Sequence, residues 1–307
     1  MTTTVLVAGA TGMLGGRIAT ELIDQLDVDV RLMLRASALG NTAKTRAVDA
    51  LVSDGAVVAL GDVTDPDSLD KATAGVDVVV SALQGGPDVI IDGQIALAEA
   101  AVRSRVRRFV SSDFAIDLYN APTGAPQFDI RREADARIDS LPLEVVHVLN
   151  GGFMDLMLDP QATHIIDLEK RTATIWGTGD EPFNLTTVDD TARFTARIAT
   201  DPSDVSGVRY LTGAETSFNQ IIAAVQELWG ATPTRNVLGS VDDLRRITSQ
   251  AADPWSVVPQ WYLLSMLTVP PFPGNDNERY PDLTPTGLRG YLVSAQQRHL
   301  RTAGAPR

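Results

Sequence analysis

The stretch VLVAGATGMLGGRIATEL, residues 5–22, runs from a short apolar segment through spaced glycines into a helical pattern. Gly9 permits a tight turn, Gly12 lets the main chain approach a pyrophosphate, and Gly15 lets the following helix pack closely on the strand. The amino end of that helix then faces the phosphates. The stretch therefore predicts a dinucleotide-binding loop, which is completed by Thr11, Met13 and Leu14.

Outward from this loop, apolar runs alternate with amphipathic stretches through the first half of the chain. This alternation predicts an α/β fold with a Rossmann-type, doubly wound parallel sheet over residues 1–152. A smaller C-terminal α+β part, residues 153–307, is expected to cover the substrate. Whether its chain crosses back to the Rossmann sheet is left open. The predicted strands are 4–8, 28–34, 56–60, 77–82, 108–111 and 143–149, and the predicted helices are 15–26, 68–74, 89–104 and 128–140.

Composition narrows the class of partner. The 307 residues are 44% hydrophobic, carry a net charge of −13 and include no cysteine. Such a charge disfavours nucleic acid, so a small molecule is the expected partner. The missing cysteines exclude disulfides and thiolate metal sites, and we expect no metal centre. The sequence has no signal-peptide pattern and no apolar run of membrane-spanning length, so we expect a cytoplasmic protein without membrane contact.

The residue after the second predicted strand indicates which nicotinamide cofactor is bound. Arg35 would attract a 2′-phosphate, whereas a carboxylate there would favour a free ribose hydroxyl. Lys44 follows nine residues later and would close the other side of that phosphate, although both cations also fit a solvated surface. Asp62, followed by Val63, is a candidate for contacting the adenine or else a turn residue. The pattern favours NADP(H).

Several stretches together resemble one known family. VAGATGMLGG, LMLRAS, GDVTDPDSLDKATAGVDVVVSAL, RRFVSSDFA and LNGGF occur in the order found in the NmrA-like, isoflavone-reductase-like branch of the atypical short-chain dehydrogenases. The resemblance covers roughly the first half of the chain. It implies a Rossmann domain that binds NADP(H), with a smaller part closing over the substrate. It also implies cofactor contacts from Ala82, Leu83, Gln84 and Ser111, and nicotinamide contacts from Asn150, Gly151 and Phe153.

The resembling family includes reductases of aromatic compounds and redox sensors that bind the cofactor without turnover. Its reductases carry a lysine in the helix after the fifth strand, where the stretch FDIRREADAR places Arg131. An arginine stabilises an oxyanion but does not release a proton near neutral pH. Ser112 and Asp113, at the carboxyl end of the predicted fifth strand, and the phenol of Tyr119 are therefore the other candidate catalytic groups.

Each candidate has a simpler interpretation. Asp113 also fits a cap or turn, and Tyr119 fits a surface loop, because the position four residues later is Thr123 and not lysine. His147 lies in an apolar run and is expected to be a hydrogen-bonded core histidine. The aromatic, proline-rich segment 253–283 fits a lid over an apolar substrate equally as well as core packing or a dimer face. A homodimer is therefore left open.

Taken together, the sequence supports an NADP(H)-dependent oxidoreductase. It would reduce a carbonyl or conjugated, aromatic small molecule by hydride transfer. The alternative is a non-catalytic NADP(H)-binding redox sensor, and its motivation is the arginine at position 131.

Overall fold

The computed structural model describes residues 2–40, 42–158, 165–167, 170–230 and 232–303. The chain divides into two compact units, which are described separately below. The first unit comprises Met1–Phe114, Gln127–Leu149 and Thr191–Arg209, and the second comprises Ala115–Pro126, Asn150–Asp190 and Tyr210–Arg307.

The strands of the described residues are numbered in chain order. They are β1 (Thr3–Ala8), β2 (Val28–Leu34), β3 (Val57–Leu60), β4 (Val78–Ser81), β5 (Arg108–Ser111), β6 (Glu144–Leu149), β7 (Gly152–Phe153), β8 (Ile166–Asp167), β9 (Thr172–Ile175), β10 (Phe183–Thr186), β11 (Gly207–Tyr210), β12 (Ala214–Thr216) and β13 (Thr234–Val237).

The α-helices are numbered in the same way, and a π-helical turn, Asp88–Gly93, precedes the fourth. They are α1 (Met13–Ile23), α2 (Thr42–Ser53), α3 (Pro66–Thr73), α4 (Gln94–Arg103), α5 (Pro126–Ile138), α6 (Met154–Met157), α7 (Val188–Thr200), α8 (Phe218–Trp229), α9 (Val241–Gln250), α10 (Val258–Thr268) and α11 (Leu288–Ala303).

The first unit is built on one large sheet with the strand order β11-β6-β5-β4-β1-β2-β3. The pairs from β6 through β3 are parallel. Successive strands run outward from β1 in both directions, so the topological switch point lies beside β1, where sheets of this type bind ligands. The predicted Rossmann-type doubly wound sheet is confirmed.

The central strands of this sheet are apolar throughout because both of their faces are covered. No solvent-exposed surface remains on residues 5–8 of β1 or on Val79 and Val80 of β4. Leu69 of α3, Leu97 of α4 and Ile138 of α5 pack against the same core as Phe109 of β5. This burial makes the carboxyl ends of β1, β4 and β5 a firm support for the loops that follow them.

Arg108, at the start of β5, is buried and binds the end of α7 and the segment that follows it. Its guanidinium donates to the carbonyl oxygens of Ile198, Asp201 and Ser203, and it forms an ion pair with Glu144 at 2.6 Å. A cation at the carboxyl end of a helix satisfies carbonyl groups that have no partner within the helix. These bonds give a physical reason why residues 191–209 belong to the first unit.

The second unit contains two small sheets and a cluster of helices. One sheet has the order β12-β10-β7 and the other the order β13-β9-β8, and each has one antiparallel and one parallel pair. Phe183 of β10 meets Phe218 of α8 edge to face, with ring centroids 5.2 Å apart. Leu264 of α10 and Leu292 of α11 are buried in the same core. The α+β character predicted for this part is therefore observed.

The six predicted strands of the first half match observed strands to within a residue or so, but α2 was not predicted. Among its described side chains only Val48 and Leu51 are buried, so the sequence carries little apolar periodicity there. The division into units also differs from the predicted boundary at residue 152, since residues 115–126 belong to the second unit and residues 191–209 to the first.

In the part of the chain that the structure describes, every helix is too short or too polar to cross a bilayer.

Candidate active site

The glycine loop after β1 has the tight geometry that its spacing predicts. Gly9 has a φ of +88°, and a Cβ on it would lie 2.4 Å from the carbonyl oxygen of Ala82. A Cβ on Gly15 would lie 2.4 Å from the carbonyl oxygen of Gly9. Both positions therefore require glycine for packing of the loop against β4 and of α1 against β1.

The amino end of α1 is open to an anion. Gly12 precedes the helix, and within the described residues no side chain caps it and no acidic residue lies in the first turn. Gly12 and Met13 are exposed, whereas Thr11 and Leu14 are half-buried. Main-chain amides at the start of a helix attract phosphate. The loop thus fits the pyrophosphate of a dinucleotide.

Charged groups follow β2 and β3, the two strands on one side of β1 in the sheet. Arg35 is exposed immediately after β2. Asp62 accepts hydrogen bonds at Oδ1 from the main-chain amide of Thr64 at 3.0 Å and from its hydroxyl at 2.8 Å. The hydrogen bond from the main-chain amide of Thr64 lowers the pKa of Asp62, whereas partial burial raises it. The hydrogen bond from the Thr64 hydroxyl and the charge of Arg35 lower the pKa further. Asp62 is therefore a turn residue with a stable negative charge.

Two neighbouring predictions have different outcomes in the structure. Val63 was predicted as a cofactor contact. In the structure it is half-buried and packs against the apolar core. Lys44 belongs to α2, but its side chain lies outside the described part of the chain.

The ends of β4 and β5 are tied together. The amide of Ala82 donates to the carbonyl oxygen of Ala8 at 2.8 Å. The hydroxyl of Ser112 donates to the carbonyl oxygen of Leu83 at 2.7 Å. Gln84 is exposed beyond them. The predicted contacts Ala82, Leu83 and Gln84 therefore lie at the same sheet edge as the glycine loop.

Arg131 is held at the carboxyl end of β5. Its Nε donates to the carbonyl oxygen of Ser112 at 2.9 Å, and its Nη1 donates to the carbonyl oxygen of Gln127 at 2.5 Å. The residue is 8% exposed. The structure thus brings together Arg131 and Ser112, two of the candidate catalytic residues.

A buried polar network underlies this edge. Gln94 accepts from the Ser81 hydroxyl at 2.7 Å and from the Ser112 amide at 2.9 Å, and it donates to the Ser111 hydroxyl at 3.2 Å. Ser111 in turn donates to Asp135 at 2.7 Å. The Ser111 hydroxyl, predicted to lie along the cofactor, is fully buried and committed to Asp135.

His147 of β6 lies in the same network, and the prediction of a hydrogen-bonded core histidine is confirmed. Its Nδ1 lies 2.7 Å from Asp113, and its Nε2 lies 3.0 Å from Asp139. Burial of the ring disfavours the charged form. The hydrogen bonds of Asp113 and Asp139 and the charges of Asp113 and Asp135 outweigh this effect and raise the pKa of His147 to about 11. Asp113 is consequently a carboxylate paired with an imidazolium, and not a helix cap.

Sequence reasoning did not single out Gln94, Asp135 or Asp139. Asp135 lies in α5 and Asp139 directly follows it. Their spacing of four residues places both on one side of the helix, and this spacing was the signal in the sequence that the two carboxylates lie close together. Which strand that side meets is a property of the tertiary structure.

The remaining predicted site residues belong to the second unit. The amide of Asn150 donates to the carbonyl oxygen of Ala115 at 3.0 Å. Gly151 has a φ of +71°, and a Cβ on it would lie 2.2 Å from the carbonyl oxygen of Asn184. Phe153 pairs with Thr186 in the β7–β10 ladder. Packing on β10 therefore explains the glycine at position 151.

Tyr119 and the aromatic segment also lie in the second unit. Tyr119 is half-buried, and its main-chain amide donates to Asp117 at 2.9 Å. In segment 253–283, Phe272 and Tyr280 are buried, whereas Trp255 and Tyr262 remain 39% and 42% exposed. The ring of Phe272 lies 4.9 Å from that of Tyr210. Part of this segment is therefore core packing of the second unit.

Comparison with known proteins places this geometry in a family. Eugenol synthase 1 of Petunia hybrida is 25% identical over 306 aligned residues, covering 94% of this chain and 97% of that protein. Phenylcoumaran benzylic ether reductase Pyrc5 of Pyrus communis is 26% identical and covers 83% of each chain.

Solved structures share the fold over nearly the whole chain. The structure of AtPrR2 with NADP+ and (+)pinoresinol superposes with a TM-score of 0.81 at 22% identity, covering 96% of this chain and 99% of that one. The model of the NmrA-like family matches residues 1–284. The chain, with its open glycine loop and with Arg131 of α5 bound beside the carboxyl end of β5, belongs to the NmrA-like family.

Proposed function

We propose that the protein is an NADP(H)-dependent reductase of a carbonyl or conjugated aromatic small molecule. The observation that carries this proposal is the buried guanidinium of Arg131 beside Ser112 at the carboxyl end of β5. Ligands of doubly wound sheets bind at this edge. A fixed cation there suits an oxygen atom on which negative charge develops during reduction.

The cofactor half of the proposal rests on the first unit. The uncapped amino end of α1 suits the pyrophosphate, and the exposed Arg35 after β2 suits a 2′-phosphate. These features favour NADP(H) over NAD(H). AtPrR2, a structural relative, is solved with NADP+.

The reaction follows from the charges at the site. NADPH, held by the amino end of α1 and by Arg35, would supply the hydride that the electrophilic carbon of the substrate accepts. Arg131 neutralises the charge that develops on the substrate oxygen, and Ser112 lies beside it. Water would supply the proton that this oxygen takes up, because a guanidinium stays protonated and both ring nitrogens of His147 are hydrogen-bonded to carboxylates.

The aromatic substrate class draws on the relatives. One relative is a phenylcoumaran benzylic ether reductase, and another protein of the same fold is solved with pinoresinol. An anion delocalised over a conjugated system needs less help from a general acid than a simple alkoxide does. A site with arginine in place of lysine therefore suits conjugated acceptors best.

A non-catalytic NADP(H) sensor is the second candidate. The observation in its favour is that Nε and Nη1 of Arg131 are both bonded to main-chain carbonyl oxygens. A guanidinium held in this way is compatible with a purely structural role. A sensor would bind NADPH and NADP+ with different affinities and consume neither.

The test is calorimetric titration with NADPH, NADP+, NADH and NAD+, followed by NADPH absorbance in the presence of ketones, enones and quinones. We expect preferential NADPH binding and its consumption with conjugated aromatic acceptors. Arg131→Met should lower kcat by about 100-fold or more while the protein stays folded, because transition-state charge is left unbalanced. A flat absorbance trace across the panel would move the conclusion to the sensor.

Arg131→Lys separates the two roles of this position. A lysine keeps the charge and can also pass a proton. A rise in kcat would show that the pocket is shaped for reduction. An unchanged kcat would show that a proton donor elsewhere limits the reaction, or that no reaction takes place there.

A further inference from the structure

Helix α5 carries another buried polar side chain, Gln127, one turn before Arg131. Gln127 is 4% exposed, and within the described residues neither its Nε2 nor its Oε1 has a hydrogen-bond partner. Gln94 shows the contrasting case, since its buried amide both donates and accepts within the network of Ser81 and Ser111. A buried amide without partners is costly, so a purely structural role does not account for Gln127.

The position of Gln127 points to the substrate end of the site. Residues four apart share a face of a helix, and Nη1 of Arg131 donates to the carbonyl oxygen of Gln127. Arg131 also binds Ser112, at the end of β5. In the sheet order, β5 lies two strands from β1. The end of β5 is therefore about 10 Å from the end of β1, where the pyrophosphate loop begins.

The chemistry of the amide selects the partner. It is uncharged, and it offers one acceptor oxygen beside a donor NH₂ group. A substrate carbonyl would leave the acceptor unsatisfied, and a carboxylate would do the same while adding a buried charge. A hydroxyl group satisfies both atoms through a single oxygen, because it donates and accepts at once.

We propose that Gln127 is a specificity-determining residue that binds a hydroxyl group on the aromatic substrate, while Arg131 faces the reacting oxygen. This inference rests on the proposed reductase function and deepens it. The substrate class becomes a hydroxylated aromatic carbonyl or enone. A site built to bond a hydroxyl group discriminates strongly against an analogue that lacks it.

The experiment uses the full chain saturated with NADP+ and two probes, 4-hydroxychalcone and chalcone. Calorimetry should give the wild-type protein about 10-fold or more tighter binding of the hydroxylated probe. Gln127→Leu and Gln127→Met should bind the two probes equally, with unchanged NADP+ affinity. Both variants should also melt about 2 °C or more higher, because an unpartnered buried amide has been removed.

Gln226→Leu is the matched control, because it makes the same chemical change at an exposed position of α8. It should keep the wild-type preference for the hydroxylated probe and the wild-type melting temperature. Either Gln127 variant alone suffices for the test if the other does not fold.

Three outcomes would overturn the inference. The first is a wild-type protein that binds both probes equally or neither, and the second is a hydroxyl preference that survives in the Gln127 variants. The third is an NADP+ affinity that falls as much as the probe affinity, which would assign the amide to the cofactor. If the wild-type protein shows a Gln127-dependent hydroxyl preference but consumes no NADPH, the reductase proposal fails and the hydroxyl site stands.

Discussion

Two buried cations, Arg131 of α5 and His147 of β6, are stabilised in different ways. Main-chain carbonyl oxygens hold the guanidinium of Arg131, whose charge is permanent. The carboxylates of Asp113 and Asp139 hold the imidazolium of His147, whose charge depends on its pKa. Only the second arrangement makes the stability of the protein depend on pH near neutrality.

The pKa of His147 predicts the direction of that dependence. In the folded protein the pKa is raised to about 11 from the ordinary histidine value of 6.5. The stabilisation is therefore complete below about pH 6.5 and is lost as the pH rises through about 11. We expect the free energy of unfolding to fall from pH 7 to 10, by at most about 1.4 kcal/mol per pH unit. Urea unfolding at successive pH values measures it.

His147→Gln is the companion variant for this prediction. It removes the buried cation and leaves Asp113 and Asp135 without compensation, at a cost of about 3 kcal/mol at pH 7. Its stability should also vary less between pH 7 and 10 than that of the wild-type protein. Equal slopes for the two proteins would show that His147 is not the titrating group.

The side chain of Arg35 should determine the preference between the two nicotinamide cofactors. Arg35→Ser removes the cation expected to face the 2′-phosphate, so NADPH affinity should fall by about 10- to 100-fold. NADH affinity should stay within about twofold. Calorimetric titration measures both values, and Arg137→Ser, an exposed position of α5, is the control. Parallel losses for both cofactors would contradict a role in phosphate recognition.

At the scale of elements, the contact between β1 and α1 depends on Gly15. Gly15→Ala would place a Cβ 2.4 Å from the carbonyl oxygen of Gly9 and force the helix away from the strand. We expect a loss of about 1–3 kcal/mol of unfolding free energy, together with weaker binding of NADPH and NADH alike. Thermal unfolding and calorimetry measure these two effects.

Gly16→Ala, one residue later in α1, is the matched control. Its Cβ would lie 3.1 Å from the carbonyl oxygen of Ala10, a smaller displacement that the gain in helix propensity partly offsets. Its stability should therefore stay within about 1 kcal/mol of the wild-type value. A Gly15 variant as stable as the Gly16 variant would argue against close packing of α1.

Helix α5 shows why sequence patterns fail at a functional edge. Gln127, Arg131 and Asp135 recur every four residues and are all buried, at positions where a surface helix would present apolar side chains. Polar residues at core spacing weaken the periodicity from which a core face is recognised. The helix itself was predicted, but the buried polar face was not, because Arg131 and Asp135 have partners at the distant carboxyl end of β5.

At the scale of the whole molecule, the return of residues 191–209 to the first unit depends on Arg108. Arg108→Met removes the bonds to the carbonyl oxygens of Ile198 and Asp201 and leaves Glu144 partly buried without its closest cation. We expect a loss of about 3–5 kcal/mol of unfolding free energy. Hydrogen exchange should also lose protection across residues 191–209.

Arg107→Met is the control for this prediction, since Arg107 pairs with the same Glu144 at 3.0 Å but is 44% exposed at its side chain. A surface ion pair of this kind contributes about 1 kcal/mol or less. Similar losses for the two variants would show that the burial of Arg108 is unimportant.

The sequence by itself determined the alternation of strands and helices, the glycine loop and the basic residue after β2. Each of these is local, because turn geometry and periodicity are properties of neighbouring residues. The tertiary structure alone decided that Asp113, Asp135 and Asp139 surround His147, that Arg108 binds a segment some 90 residues away, and that Gln127 is buried. These pairings join distant stretches of chain, and a polar residue in the sequence does not show which strand or helix will bury it.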